Sequence, residues 1–303
     1  MIDKRDLLQM RLKISGGHVY DPSCGWQGEV RDLFIEGGRL VPRLARADKV
    51  MKAAGRVVVA GGIDLRGQVA TYGLNLRRAV GGMPSPRELG EAYAGLGYTH
   101  VHEPFLTWFT ANYVHCQLAA LPIVDTSASL VVNLRDLDLR LRSPEQLPEV
   151  GETLRFLLDQ TRSLNLRVVE PFVRYRQEYY AHRTVATEAA LEILADLASS
   201  EKLHLTLEAG PDILRAGLPE AELFHLAALG PALVEDELIE AALRLLAKGA
   251  TGDMGLMDPG GGAAPGAPGI EVDLGWFKAL DLAPRPDVAM APMATSTAIS
   301  TPN

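Results

Sequence analysis

Histidine pairs offer the plainest chemistry in this sequence. His100-Val101-His102 has the His-x-His spacing of zinc ligands, and strand alternation would turn both rings to one face. Zinc sites use three or four protein ligands. A pair without a third is not a site, so these histidines are read as strand structure. His115-Cys116 is read as a packing or hydrogen-bonding pair, and His182, beside Tyr179-Tyr180, as a surface-loop residue. No Ser-His-Asp order, Cys-His catalytic pair or Walker motif stands out. Ser127 and Ser129 have no nucleophile context. Gly61-Gly62 and Gly95-x-Gly97 lack the Gly-x-Gly-x-x-Gly spacing that cradles a dinucleotide, and read as tight turns.

The elements that would position such residues alternate along the chain. Residues 11–41 read as a small half-buried β-meander, with turns at Gly16-Gly17 and Gly37-Gly38. Arg56-Val57-Val58-Val59-Ala60 is apolar after its first residue, which suits a strand buried on both faces. Ser85, Pro86 and Glu88 form a capping box at a helix start. Strands are predicted at 98–102, 130–134, 165–169 and 203–207. Helices are predicted at 145–163, 184–200 and 233–248, the last closed by Gly249. Residues 107–120 form a less defined helical stretch, and residues 223–229 a short apolar one. About six strand–helix units imply a parallel sheet, with two units of an eight-stranded barrel missing or eroded.

Composition narrows the field. A formal net charge of −8 argues against nucleic acid and anionic membrane as partners. Two cysteines, Cys24 and Cys116, are too few for a disulfide scaffold or a cysteine-type zinc site, and point to a reducing cytoplasm. Charged residues from Asp3 to Asp6 interrupt any leader-like start, and no apolar run is long enough to span a membrane. Arg135 to Arg142 alternates charge with leucine, as a half-exposed segment or a partner-facing edge would. Glu235-Asp236-Glu237 reads as the acidic first turn of a helix. Residues 259–269 are all Pro, Gly or Ala and read as a flexible linker. Ile270 to Trp276 reads as one returning strand, and Met290 to Asn303 as a disordered tail.

A β-meander, a strand ending Gly61-Gly62-Ile63-Asp64, and a run of strand–helix units together resemble the amidohydrolase superfamily. Tyr93 to Thr99, Glu103-Pro104, His115 with Pro122-Ile123 and Asp125, and Arg167-Val168-Val169-Glu170-Pro171 narrow the resemblance. These segments are similar to the A subunits of formylmethanofuran dehydrogenase and of the formyltransferase/hydrolase complex, over roughly residues 12–258. The resemblance implies an α/β fold: an incomplete or distorted TIM-like (β/α) barrel with a small N-terminal β-sandwich-like domain. The boundaries it implies are 1–57 for the sandwich-like domain and 58–258 for the barrel. Residues 259–269 and 270–303 follow as linker and tail.

The family chemistry is formyl-amide hydrolysis, from formylmethanofuran to formate, at two zinc ions bridged by a carboxylated lysine. Here the resemblance puts Arg66 and Gln68 at the first strand's histidine positions and Arg167 at the lysine. Arg is permanently cationic and has no lone pair for zinc. His204 and His225 match two later histidines, and the strand bearing the family's aspartate is missing. No metal cofactor is therefore expected. Arg66 and Arg167 are expected to supply fixed positive charge in the metals' place, paired with Glu103, Glu170 or Glu208. The expected role is a non-catalytic subunit or scaffold of a formyltransferase/hydrolase-type complex, with that complex's other subunits as partners. The alternatives are a residual hydrolase with one metal on His204 and His225, and a binding module for an anionic methanofuran-like carrier.

Overall fold

The computed structural model describes residues 10–21, 24–70, 78–79, 84–133, 147–169, 187–229, 235–253 and 293–294. The chain divides into two compact units, Met1–Gly61 and Gly62–Asn303. The segments 135–142, 259–269 and 270–276, and the residues Glu170 and His182, lie outside the described residues.

The first unit is a five-stranded sheet around β1 (Leu12–Asp21). β1 pairs antiparallel with β2 (Trp26–Glu36), and parallel with β4 (Lys49–Lys52) and β5 (Val57–Val59). β3 (Arg39–Val41) extends the sheet through a turn at Gly37 and Gly38, both at positive φ. Gly16-Gly17 is no hairpin turn: it lies inside β1. Gly16 adopts φ +71°, the ladder slips there, and the Asp32 carboxylate accepts from the Gly16 N–H and the Ser15 hydroxyl. Glycine permits this bulge without a Cβ penalty. The Val57–Val59 run also departs from expectation. It belongs to this sheet, and Val57 and Val59 are exposed. A continuous apolar run is the usual mark of a strand covered on both faces, and this one is not.

The second unit is one sheet of eight strands. In order they are β6 (Gly62–Asp64), β7 (Tyr98–Leu106), β8 (Asp125–Asn133), β9 (Asn165–Val169), β10 (Leu205–Glu208), β11 (Phe224–Ala227), β12 (Thr251–Asp253) and β13 (Met293–Ala294). Every neighbouring pair is parallel. The sequence pattern shows about six units because β6, β12 and β13 have three residues or fewer, too short to show a period. β13 also places part of the expected disordered tail in the sheet. No β13–β6 pairing closes the sheet among the described residues.

Helices α1 (Pro86–Gly95), α2 (Ala111–Ala119), α3 (Leu147–Thr161), α4 (Thr187–Glu201), α5 (Pro211–Ala216) and α6 (Asp236–Ala247) connect the strands. α1 starts with the capping box of Ser85 and Glu88, both reciprocal bonds being present. α6 stops before Gly249, at φ +108°. The strands alternate sharply. Leu130 and Val132, Leu166 and Val168, Leu205 and Leu207, Phe224 and Leu226 join one apolar cluster with Val150 and Leu154 of α3, Leu191 and Leu194 of α4, and Leu238 and Ile239 of α6. Burying each such side chain contributes roughly 1.5–3 kcal/mol. The intervening residues turn to the opposite face, and many of them are polar.

Candidate functional site

That opposite face carries polar side chains at two levels of the parallel sheet. His100, Ser127, Asn165 and His225 stand within the first three residues of β7, β8, β9 and β11, and His204 just before β10. With His102, Ser129, Arg167, Thr206 and Asp253 they line a cavity of about 360 Å³. The other level lies at the strands' C-terminal ends. It holds Asp64 at the end of β6, Arg66 and Gln68 after it, and Glu208 at the end of β10.

A directed hydrogen-bond chain crosses the cavity wall. Asn165 Nδ2 donates to Thr206 Oγ1 at 2.8 Å, and Asn165 Oδ1 accepts the Ser129 hydroxyl. Ser129 has given its only proton, so it accepts from His102 Nε2–H at 2.6 Å. His102 then accepts at Nδ1 from the Ser127 hydroxyl at 2.7 Å, and Ser127 accepts from His100 Nε2–H at 2.8 Å. Both tautomers follow from the Asn165 amide. Burial, with His100 and Arg167 nearby, pushes the His102 imidazole down to about 4, so it is neutral as the chain requires. On the far wall His225 contacts Thr251 Oγ1 through Nδ1 at 2.9 Å and Asp253 Oδ2 through Nε2 at 3.1 Å.

The C-terminal level is held differently. Asp64, fully buried, accepts from the Tyr93 hydroxyl at 2.8 Å and from the Arg66 N–H at 2.9 Å. Burial pushes its carboxyl up, and pushes the Tyr93 hydroxyl up as well. Glu103 is fully buried and accepts the Ala70 N–H at 2.8 Å and the Phe105 N–H at 3.2 Å. Burial raises it to about 7 despite those bonds. Arg167, 2% exposed, donates from Nη2 to Glu208 at 3.2 Å and stands 5.0 Å from the Phe105 ring centre. Burial and the neighbouring Arg66 lower its pKa. Arg66 Nη1 and Arg167 Nε are buried without a hydrogen-bond partner among the described residues.

The structure thus places Arg167 against Glu208. Glu103 is held by backbone N–H groups rather than by Arg66. Gln68 is exposed, at φ +42°. His204 and His225 line one cavity together with Arg167 and Leu65, and Arg66 and Gln68 are not among its lining residues. The donor set at the metal positions does not fit a two-zinc centre, because two of the three side chains are guanidinium groups without a free lone pair. Among the described residues no group of three or more His, Cys, Asp or Glu side chains is placed to hold a metal ion. His115 Nε2 contacts the Thr161 carbonyl oxygen at 2.7 Å, a tie between α2 and α3. No helix among the described residues is long and apolar enough to cross a membrane.

Sequence motifs do not single out Ser127, Ser129, Asn165 or Thr206. The signal that does is a polar residue at every second position of successive strands, at 100/102, 127/129, 165/167 and 204/206. Such a pattern points a polar set at one face, whereas a search for nucleophiles or ligands examines each serine alone.

No protein-family model matches the chain. The A subunit of the formyltransferase/hydrolase complex Fhc of Methylorubrum extorquens is 31% identical over 179 residues, covering 53% of this chain and 32% of that protein. Protein FwdA of Methanocaldococcus jannaschii is 26% identical over 182 residues, covering 54% and 32%. The chain spans about a third of the length of these curated relatives. A crystal structure of the formyltransferase/hydrolase complex (FhcABCD) from Methylorubrum extorquens, in complex with methylofuran, superposes with a TM-score of 0.65. The identity is 23%, over 82% of this chain and 55% of that one. Phenylurea hydrolase B superposes at 0.52 with 13% identity, over 80% and 64%. The chain is thus homologous in sequence to the Fhc A subunit and to FwdA, and its barrel is an incomplete TIM-like α/β fold of the amidohydrolase type.

Proposed function

We infer that the chain is a non-catalytic, metal-ligand-depleted amidohydrolase-like subunit or scaffold of a formyltransferase/hydrolase-type complex in one-carbon metabolism. The observation that carries this reading is the buried Arg167, ion-paired to Glu208 at 3.2 Å on the strand where the family resemblance expects a carboxylated lysine. A permanent cation there supplies charge but cannot bridge metals. Similarity to the Fhc A subunit supports the complex as the setting. The fold can still present helices and edges to partners after its site has changed. On this reading the chain works in the cytoplasm with soluble partner subunits. Coexpression of the tagged full chain with the other three subunits of an Fhc complex tests it. Co-elution as one stoichiometric particle is expected; elution of the chain alone would contradict it.

A second reading is a binding module for an anionic methanofuran-like carrier. The buried Nη1 of Arg66, without a partner among the described residues, favours it, since such a donor suits a carboxylate. Salt-sensitive carrier binding that disappears in Arg66→Ala would support it, and absence of binding to the intact chain would remove it. The third alternative, a hydrolase with one metal on His204 and His225, gains least from the geometry. Among the described residues no third ligand joins these two side chains, and His225 is already engaged by Thr251 and Asp253.

A further inference from the structure

The cavity on the polar face of the strands has a chemistry of its own. One guanidinium, Arg167, and four imidazoles, His100, His102, His204 and His225, face a single carboxylate, Asp253. That carboxylate is already engaged: Oδ2 meets His225 Nε2 at 3.1 Å and Oδ1 accepts the Ala228 N–H at 3.3 Å. The Ser127 and Ser129 hydroxyls are also engaged, because the chain from His100 to Thr206 uses their protons internally, while the Thr206 hydroxyl accepts from Asn165 and keeps its own. Arg167 is different. Its side chain is 3% exposed, Glu208 engages Nη2, and Nε–H has no acceptor among the described residues. A buried donor without an acceptor is the exception in folded proteins and asks for a partner such as a ligand atom.

The remaining lining is apolar. Leu65 contributes to the wall, while Ile63 and Leu164 are 51% and 72% exposed and mark the open end. A volume of about 360 Å³ lies within the range of small-molecule sites. It leaves room for a few carbons beyond one anionic group.

We propose that this cavity is a binding site for a small aliphatic monocarboxylate, its carboxylate facing the Arg167 guanidinium and its carbon chain against Leu65, Ile63 and Leu164. A single guanidinium, already shared with Glu208, matches one negative charge and not two. The site's lining runs from Asn165 and His204 at the start of β9 and β10 to Asp253 at the end of β12 and Leu65 just after β6, and its anchor Arg167 is the residue at the lysine position of the resemblance. It does not rest on the chain's belonging to a larger complex, so either conclusion can fail alone.

The test uses the full chain, with butyrate as the probe and butyramide as its uncharged counterpart. Binding is read by calorimetry and by the Cε1–H resonances of the histidines. Butyrate is expected to bind once per chain and to shift His100, His102, His204 and His225 but not His18 or His115. Butyramide is expected to leave them in place. Arg167→Met is expected to weaken binding at least tenfold. Leu164→Trp is expected to do the same by filling the mouth; because Leu164 is exposed, this variant keeps a readout should Arg167→Met fail to fold. Absence of butyrate binding to the folded wild-type chain would overturn the proposal. So would equal binding of butyramide, or unchanged affinity in Leu164→Trp.

Discussion

Removing either partner of the Arg167–Glu208 pair breaks the same 3.2 Å contact, yet the two removals are predicted to differ sharply in effect. The side chains are 3% and 36% exposed. Glu208→Ala leaves a guanidinium in a desolvated place beside Arg66, with no ion-paired carboxylate and only the field of Asp253, already engaged by His225, to balance it. Breaking a buried pair this way costs about 3–5 kcal/mol, and the partial exposure of Glu208 lowers the expectation to about 2–4 kcal/mol. Arg167→Met removes the buried charge itself. Methionine replaces the apolar stem, the repulsion from Arg66 disappears, and Glu208 turns to water. What is lost is the contact over Phe105, worth about 0.5–1 kcal/mol. The double variant should resemble Arg167→Met, not the sum. Urea unfolding at pH 7, followed by circular dichroism, measures all four proteins of the cycle. Arg167→Met costing more than Glu208→Ala, at unchanged m, would refute the view that a buried cation governs this site.

The other predictions concern the groups around it. Glu103, raised from 4.5 to about 7, contributes stability that is present below pH 4.5 and lost as pH rises through 7. His102, lowered from 6.5 to about 4, contributes stability present above pH 6.5 and lost as pH falls through 4. Each displacement is worth about 3 kcal/mol, so stability should be highest between about pH 4.5 and 6.5; a monotonic rise from pH 5 to 8 in urea titrations would contradict the Glu103 assignment, and a monotonic fall from pH 4 to 6.5 that of His102. Tyr93→Phe removes the hydroxyl donor to buried Asp64 and should cost about 1.5–3 kcal/mol, read as a shift of the urea midpoint. Gly67→Ala should cost about 1–3 kcal/mol, because the new Cβ would meet Val101 Cγ1 at 2.3 Å. A thermal midpoint unchanged from wild type would show that the β6–β7 contact has more room than the structure gives it.

How much of the fold and site is legible in the sequence depends on the length of each signal. The capping box of Ser85 and Glu88 marks the start of α1, and the helical periods of α3, α4 and α6 span more than ten residues each; all four elements are present. Strands β12 and β13 have three and two residues, below what a period-2 pattern can declare. Gly16-Gly17 carries the composition of a turn, and only the tie to Asp32, across from β1, distinguishes a bulge from a reversal. At the site, Arg66, Gln68 and Arg167 are visible as departures from a resemblance. The depth of His204 and His225 is not, because strand boundaries misplaced by one or two residues move a side chain between levels of a sheet. β10 begins at Leu205, two residues later than expected, and so leaves His204 before the strand. His100 and His102 stand on a strand, as their alternation predicts. Their bonding partners come from β8, far along the chain, and meet β7 only through parallel register.

On the proposed reading, fixed cations, Arg66 and Arg167, stand where the resemblance expects zinc ligands, and the chain is predicted not to hold zinc. Metal analysis of the full chain, purified from zinc-supplemented cells and shown to be folded, tests this most directly. Far less than one zinc per chain is predicted, unchanged in Arg66→Ala. One or two tightly held zinc ions per chain would contradict it.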